Sequence, residues 1–454
     1  MNINKFSEIV PSPFFDFFIS IFNKYQYSVR RSGHYKEIRH IRESYDHYSF
    51  EDLKEIQRDR LIKFINYARE NSAYFSEVIG DISINQVEDI KKLPFLVKST
   101  LISRLEDIVT IKENDAIVSY TGGTTGASLK VLYTKDCMRE RFAYLDHFRE
   151  KFGYKLGDKV AWFSGKNFIS KRDEIQKRFY KRDYINNIYF FSTFHITREN
   201  VAFYLEKLEK FQPRFLVGFP SSVYRICKYA QENGIKYRGK VSIFFPTAET
   251  LTKEHRVVIS NFLGCKLINQ YASSEGAPWI FECGDGNLHI DITSGVFEVL
   301  DMEGNDCNSG ELVVTSFTTK GTPLIRYRIG DSLTLSNKKV CSCGSFFPIA
   351  DQIEGRRDDY VSTPNKGEVN LGNLSNSTKG ITGIVSFQVE QFKIDKVEVK
   401  VIATNKFNDA EESCFKTALS ERLGEDVEIE IFRVKDIPVE KSGKFRIIKN
   451  HLNN

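Results

Sequence analysis

Between Val160 and Phe262 the chain alternates short apolar runs with helix-length amphipathic ones. Val160 to Phe163, Asn187 to Phe194, Phe215 to Phe219 and Val241 to Pro246 read as strands, and Ala202 to Phe211, Ser221 to Gln231 and Lys253 to Phe262 as helices. Strands alternating with helices in this way bury their apolar faces as a largely parallel sheet covered by helices, so the expectation is an α/β domain. From Leu288 to Leu335 the rhythm changes to strand-turn-strand, a β-rich region. The 454 residues, 41% of them hydrophobic, suffice for a large core and a second domain. Beyond Arg356, Val397 to Ala403 and Val427 to Val434 read as strands around a helix from Glu411 to Leu423, while Ser362 to Thr382 is loop-like in composition. The division expected is residues 1–50, a helical segment packed on the main domain, then 51–355 and 356–454.

Several function classes drop out on charge. Lys and Arg exceed Asp and Glu by only five and are interspersed with them, so no nucleic-acid partner is expected. Eight cysteines without a cleavable leader read as reduced thiols of a cytoplasmic protein. The apolar stretch Phe14 to Phe22 is far shorter than the ~20 residues of a membrane span. It is followed by Arg30, Arg31, Lys36, Arg39 and Arg42. This leaves two readings open: a helix packed on the main domain, or an interfacial helix at the inner face of the membrane or on an envelope polysaccharide assembly.

Ser119 to Val131 carries the densest chemistry. Apolar runs enter at Ala116 to Val118 and leave at Val131 to Tyr133, so a strand, a glycine-rich turn and a second strand are expected. Gly122, Gly123 and Gly126 permit a backbone whose amides converge on an anion, and Thr124 and Thr125 add hydroxyls. The loop is neither a nucleoside triphosphatase loop, which needs Gly-Lys-Ser/Thr opening a helix, nor a Gly-x-Gly-x-x-Gly turn.

Other motifs follow in order: Tyr271-Ala-Ser-Ser-Glu275, Gly310-Glu-Leu-Val-Val-Thr315, Arg326-Tyr-Arg-Ile-Gly-Asp331, Gly355-Arg-Arg-Asp-Asp359 and Pro438-Val-Glu-Lys-Ser-Gly-Lys444-Phe-Arg446. Together with the glycine loop this set resembles the adenylate-forming acyl ligase superfamily, and within it the branch of phenylacetate-coenzyme A ligase and capsular polysaccharide proteins. The resemblance implies a large multi-sheet N-terminal domain with a small, mobile α+β lid. It implies that ATP and a carboxylic acid give an acyl-adenylate and pyrophosphate, after which the acyl group passes to coenzyme A or to a sugar precursor. By the same resemblance Gly122 to Gly126 cradle the leaving phosphates, Thr124 and Glu275 neighbour magnesium, and Tyr271 stacks on adenine. Thr247, Ala248, Glu249 and Gln270 line the base, Asp331 holds the ribose, and Arg356 lies beside the nucleotide. Lys444 reaches the carboxylate and α-phosphate oxygens, and Asp358 is the hinge. Ser128 stands where the family's loop usually has proline, and Tyr360 to Gly367 departs from the ligases' coenzyme A stretch, so the acceptor stays open. The alternative is a noncatalytic scaffold of an envelope polysaccharide assembly.

Cys283 and His289 lie close in one turn-rich segment, and Cys341 and Cys343 in another some fifty residues on. Three sulfurs and an imidazole are the ligand set of a closed structural zinc site. The alternative is four unrelated residues in β-turns, with the thiols acting as small apolar groups.

Overall fold

The computed structural model describes residues 10–120, 130–164, 168–354, 360–365, 367–370, 374, 376–378, 381–438 and 446–452. The chain falls into two compact units, Met1–Phe22 with Gly157–Leu267 and Gly355–Asn454, and Asn23–Leu156 with Ile268–Glu354.

The first unit is built on a six-stranded sheet in the order Tyr180–Asp183, Ile188–Ser192, Val160–Ser164, Phe215–Gly218, Ile243–Pro246, Lys266–Leu267. All neighbours are parallel except the first pair. The alternation expected from the sequence is therefore realised, with helices Val201–Phe211, Pro220–Glu232 and Lys253–Leu263. In the first of these Val201, Tyr204, Leu205 and Leu208 are buried, an apolar stripe at helical spacing. Strand order reverses beside Val160–Ser164: the chain leaves that strand toward Ile188–Ser192 and returns on its other side as Phe215–Gly218. Connections diverge there, the arrangement in which open α/β sheets bind ligands outside the carboxyl ends of their strands. Gly218, with φ +136°, sits at that point, and a Cβ there would lie 2.1 Å from the Phe163 carbonyl oxygen. No side chain fits.

The same unit carries a four-stranded sheet, Glu428–Arg433, Lys396–Ala403, Ile384–Lys393 and Ile448–Asn450, with helix Asp409–Leu423. Val389, Val397, Val399, Phe415 and Leu419 form its core. Two features differ from the sequence reading. Ile384–Lys393 is a ten-residue strand, and the loop-like 362–382 begins with a hairpin, Tyr360–Thr363 against Gly367–Asn370. Two paired valines, Val361 and Val369, are buried there and outweigh the polar residues around them.

The second unit has an antiparallel sheet in the order Gly295–Leu300, Ser309–Ser316, Leu324–Leu335, Ile349–Glu354, Leu288–Ile290, Ile280–Glu282, Gln270–Tyr271. It packs with helices Phe50–Asn71 and Ala73–Ile79 around Leu53, Leu61, Phe64, Phe75 and Leu333. Ser49 and Asp52 form a reciprocal cap that starts the long helix. The glycine loop is flanked, as expected, by paired strands Ile117–Tyr120 and Lys130–Tyr133; Gly122, Gly123, Thr124, Thr125 and Gly126 lie outside the described residues, as do Arg356, Asp358 and Lys444.

Arg326 ties this unit together. Its φ of +47° is unusual for a side-chain-bearing residue. The guanidinium donates to both Glu298 oxygens at 2.8–3.2 Å and to the carbonyls of Lys91 and Leu93. It also lies 4.1 Å from the Phe95 ring centre. Arg326→Met leaves Glu298 buried without its partner and is expected to lower stability by about 3–5 kcal/mol, read as a shift in the urea midpoint.

His255 offers a second test, by pH. It is 7% exposed, and its Nδ1 has no hydrogen-bond partner among the described residues. Burial pushes its pKa down to about 4. A depressed histidine pKa favours the native state above the unfolded value of ~6.5, and that contribution is lost as pH falls toward the native value. Stability is expected to fall by about 3 kcal/mol between those limits through this group, with a shallower slope in His255→Gln.

Candidate functional site

Asp331 lies in an irregularity of the Leu324–Leu335 strand. Glu311 pairs with Ser332 and Val313 with Arg328, so two steps on one strand face four on the other. The two extra residues form a bulge containing Gly330 at φ +83°. Bulges re-aim side chains, and here the Asp331 carboxylate accepts the Tyr271 phenol at 2.6 Å. Tyr271 is on the edge strand Gln270–Tyr271, four strands from the one that bears Asp331. In a flat sheet those strands stand about 19 Å apart. A 2.6 Å bond between their side chains requires the sheet to curl until its edge approaches the bulge.

Gln270, beside Tyr271, is buried and its side-chain oxygen accepts from Arg149 at 3.4 Å. Glu275 is 3% exposed in a pinned turn. Gly276 N–H donates to the Ser273 carbonyl, and Arg141 donates to the carbonyls of Gly276 and Ala277 at 3.1 and 3.0 Å. A Cβ at Gly276, φ +105°, would stand 2.4 Å from Thr319 and 2.7 Å from the Tyr133 hydroxyl. Tyr133 in turn donates to the Ser274 carbonyl at 2.9 Å. Burial pushes the Tyr133 phenol up to about 12, with Arg141 opposing and the Glu275 charge adding. Tyr133 ends strand Lys130–Tyr133, so the residue before Glu275 is tied to that strand. Sequence reading missed Tyr133 and Arg141. A lone arginine inside a charged helix carried no signal that its fork would fix a turn 135 residues away.

In the first unit, Thr247, Ala248 and Glu249 directly follow strand Ile243–Pro246. Thr247 N–H donates to the Gly218 carbonyl at 3.0 Å, Ala248 has φ +67°, and Glu249 accepts the Ser221 amide at 3.1 Å. Ser221 belongs to the first turn of helix Pro220–Glu232, where a carboxylate is favoured.

The four metal-type residues come together. The ligand atoms of Cys283, His289, Cys341 and Cys343 lie within 4.8 Å of one another. Cys283 and Cys341 each open a similar turn, closed by an N–H from Gly286 or Gly344, both at φ +81°. The sulfurs of Cys283 and Cys341 are 3.7 Å apart, and Cys343 Sγ is 3.4 Å from His289 Nε2. Ligands at zinc distances around a tetrahedral centre stand about 3.5–3.8 Å apart. His289 Nδ1 faces the Phe347 carbonyl at 3.0 Å, which assigns its proton there and turns the Nε2 lone pair toward the sulfurs. Burial holds the imidazole pKa below its usual value, favouring the neutral ligand form. Burial alone would raise Cys341, but donors including the Cys343 backbone and Asn287 lower it, whereas burial and neighbouring sulfurs push Cys343 up to about 12. Thiols this close ionise together only with a cation among them.

Residues 361–451 match the family model described as the CapK C-terminal domain. Over 442 residues the chain is 34% identical to Protein CapK of Staphylococcus aureus, with 95% of each chain covered. The chain belongs to the CapK family. This family lies within the adenylate-forming ligases, as the ordered motifs lead one to expect. The CapK-family chain is also 24% identical over 250 residues to indoleacetate–lysine synthetase of Pseudomonas savastanoi, covering 54% of this chain and 60% of that one. Its fold matches the solved structure of 2-hydroxyisobutyryl-CoA ligase, in the postadenylation state with 2-HIB-AMP, at TM-score 0.70 and 16% identity, covering 87% of this chain and 89% of that one.

Proposed function

We propose that this CapK-family ligase activates a carboxylic acid with ATP and passes the acyl group to a nucleophilic acceptor in surface polysaccharide synthesis. The observation that carries the reading is the Tyr271–Asp331 pair, a ring and a carboxylate joined at 2.6 Å at the rim of the curled sheet. Tyr271 offers its face to adenine, and the hydroxyl bond fixes the ring. The same bond orients Asp331, whose carboxylate accepts the ribose hydroxyls. Gln270, Thr247, Ala248 and Glu249 bound the base, and Gly122, Gly123, Thr124, Thr125 and Gly126 bind the β- and γ-phosphates. Glu275 supplies a buried oxygen donor of the class magnesium takes, with Thr124 as its neighbour.

In the first half-reaction a carboxylate oxygen attacks the α-phosphorus as the bond to the bridging oxygen breaks, and pyrophosphate leaves. Lys444 and Arg356 neutralise charge at the α-phosphate. In the second, the acceptor attacks the acyl carbon and AMP departs. Residues 356–454 act as the lid that turns about Asp358 between the two steps. The names of two similar proteins mark two acceptor chemistries, the thiol of coenzyme A and an amine of lysine. An amine or hydroxyl of a sugar precursor suits the capsular branch, and coenzyme A suits the wider class. We also assign a structural zinc to Cys283, His289, Cys341 and Cys343, since four protein ligands leave no position for a reacting water.

Pyrophosphate exchange with MgATP over aryl, short acyl, amino and sugar acids tests the adenylation. One acid class is expected to support exchange, with Lys444→Ala slowing it about 10²- to 10³-fold. Asp331→Ala is expected to act mainly on the KM for ATP, about 10- to 100-fold, and Tyr271→Phe, which keeps the ring, by only a few-fold. Absence of exchange with every acid, despite bound ATP, would overturn the reading. For the metal, one zinc per chain is expected by elemental analysis. Cys341→Ser should lose it and melt at lower temperature, and metal-free protein with an unchanged melting temperature would remove zinc from the account.

A further inference from the structure

Helix Ser12–Arg30 turns its polar side inward. Phe15, Asp16 and Ser20 are fully buried. Asp16 pairs with Arg178, and Ser12 donates to Asp173. The fully buried Lys181 ammonium lies 2.7 Å from Asp173 and 3.0 Å from the Ser12 hydroxyl. Ser20 donates to the Asp16 carbonyl at 2.7 Å and accepts the Tyr184 amide at 2.8 Å. These bonds fix the helix's rotation about its axis, because turning it over would strand buried charges.

The outward side is consequently apolar. Phe14, Phe17, Phe18, Ile21 and Phe22 are 41–69% exposed, and their spacing (i, i+3, i+4, i+7, i+8) makes one continuous stripe. Tyr184 and Ile185, in the turn held by Ser20, are also exposed. A stripe of this size needs an occupant. Its surroundings favour an anionic one: Lys171, Arg172 and Lys177 are exposed in the segment that the Ser12–Asp173 bond joins to the helix. Glu174, the exposed acid of that segment, is paired with His195. Asp16, the one acid between Ser12 and Phe22, is buried against Arg178. No helix among the described residues is long and apolar enough to cross a membrane.

We propose that the exposed stripe Phe14–Phe17–Phe18–Ile21–Phe22 lays this protein on an anionic lipid surface, with Lys171, Arg172 and Lys177 as its headgroup contacts. The phenyl rings enter the boundary between headgroups and acyl chains, and the cations supply the salt-dependent part. The inference does not depend on the adenylation chemistry.

The test is co-sedimentation of the full-length protein with phosphatidylcholine vesicles, with and without about 30% phosphatidylglycerol. Strong pelleting with the anionic vesicles, reduced by salt, is expected. Phe14→Asn combined with Phe17→Asn and Ile21→Asn should lower the bound fraction at least about tenfold while leaving the melting temperature unchanged, since all three side chains face outward. Lys171→Glu with Arg172→Glu and Lys177→Glu should remove the preference for anionic lipid. Equal pelleting of the triple asparagine variant would overturn the proposal. So would a failure to pellet accompanied by a dimer that the variant disperses, which assigns the stripe to a second copy. Pelleting seen only after removal of residues 1–9 would assign the stripe to that segment.

Discussion

The second unit depends on one buried cation. Arg326 reaches Glu298 two strands away, across Ser309–Ser316, and the carbonyls of Lys91 and Leu93 in the segment that precedes the hairpin of the glycine loop. Its own backbone completes the tie: Leu96 donates to the Arg326 carbonyl and accepts from Arg328, and the Arg326 amide donates to Thr315. A guanidinium has five donors in a rigid plane, which a lysine at this place could not match. Five residues further along the strand is Asp331, so the clamp that orders the core also sets where the bulge begins.

The curl of the sheet then brings distant parts of the chain into one region. Tyr271 and Asp331 are sixty residues apart and meet through a single hydrogen bond. The cysteine-histidine cluster reinforces this closure, because Cys283 follows strand Ile280–Glu282 while Cys341 and Cys343 lie between strands Leu324–Leu335 and Ile349–Glu354. Each thiol turn belongs to a connection next to a strand of the curled sheet. In the first unit the device is different: the Gly218 contact with Phe163 draws two parallel strands together at the reversal of strand order.

The sequence was most legible where periodicity is strong. The alternation from Val160 to Phe262 predicted the parallel sheet because strands such as Phe215–Gly218 and Ile243–Pro246 are short, apolar and buried on both faces. Strand Ile384–Lys393 escaped notice because Gln388, Glu390 and Gln391 are buried beside its valines and break the apolar signal. The Cys and His residues were legible by chemical type, whereas their convergence depends on two turns folding alike. In the N-terminal helix the apolar run was plain, but its direction was not. Hydrophobicity alone would bury the phenylalanines, and buried pairs such as Asp16–Arg178 and Asp173–Lys181 decide otherwise.

The bulge at Asp331 contains two extra residues, and two is an even number. Side chains alternate between the faces of a strand, so a pair of added residues returns the chain to the same alternation beyond the bulge, and Leu333 still points into the core. Removing one residue between Arg328 and Ser332 would invert everything on one side of it. Chain length across these few positions therefore sets which face each later side chain takes, independently of which residues occupy them.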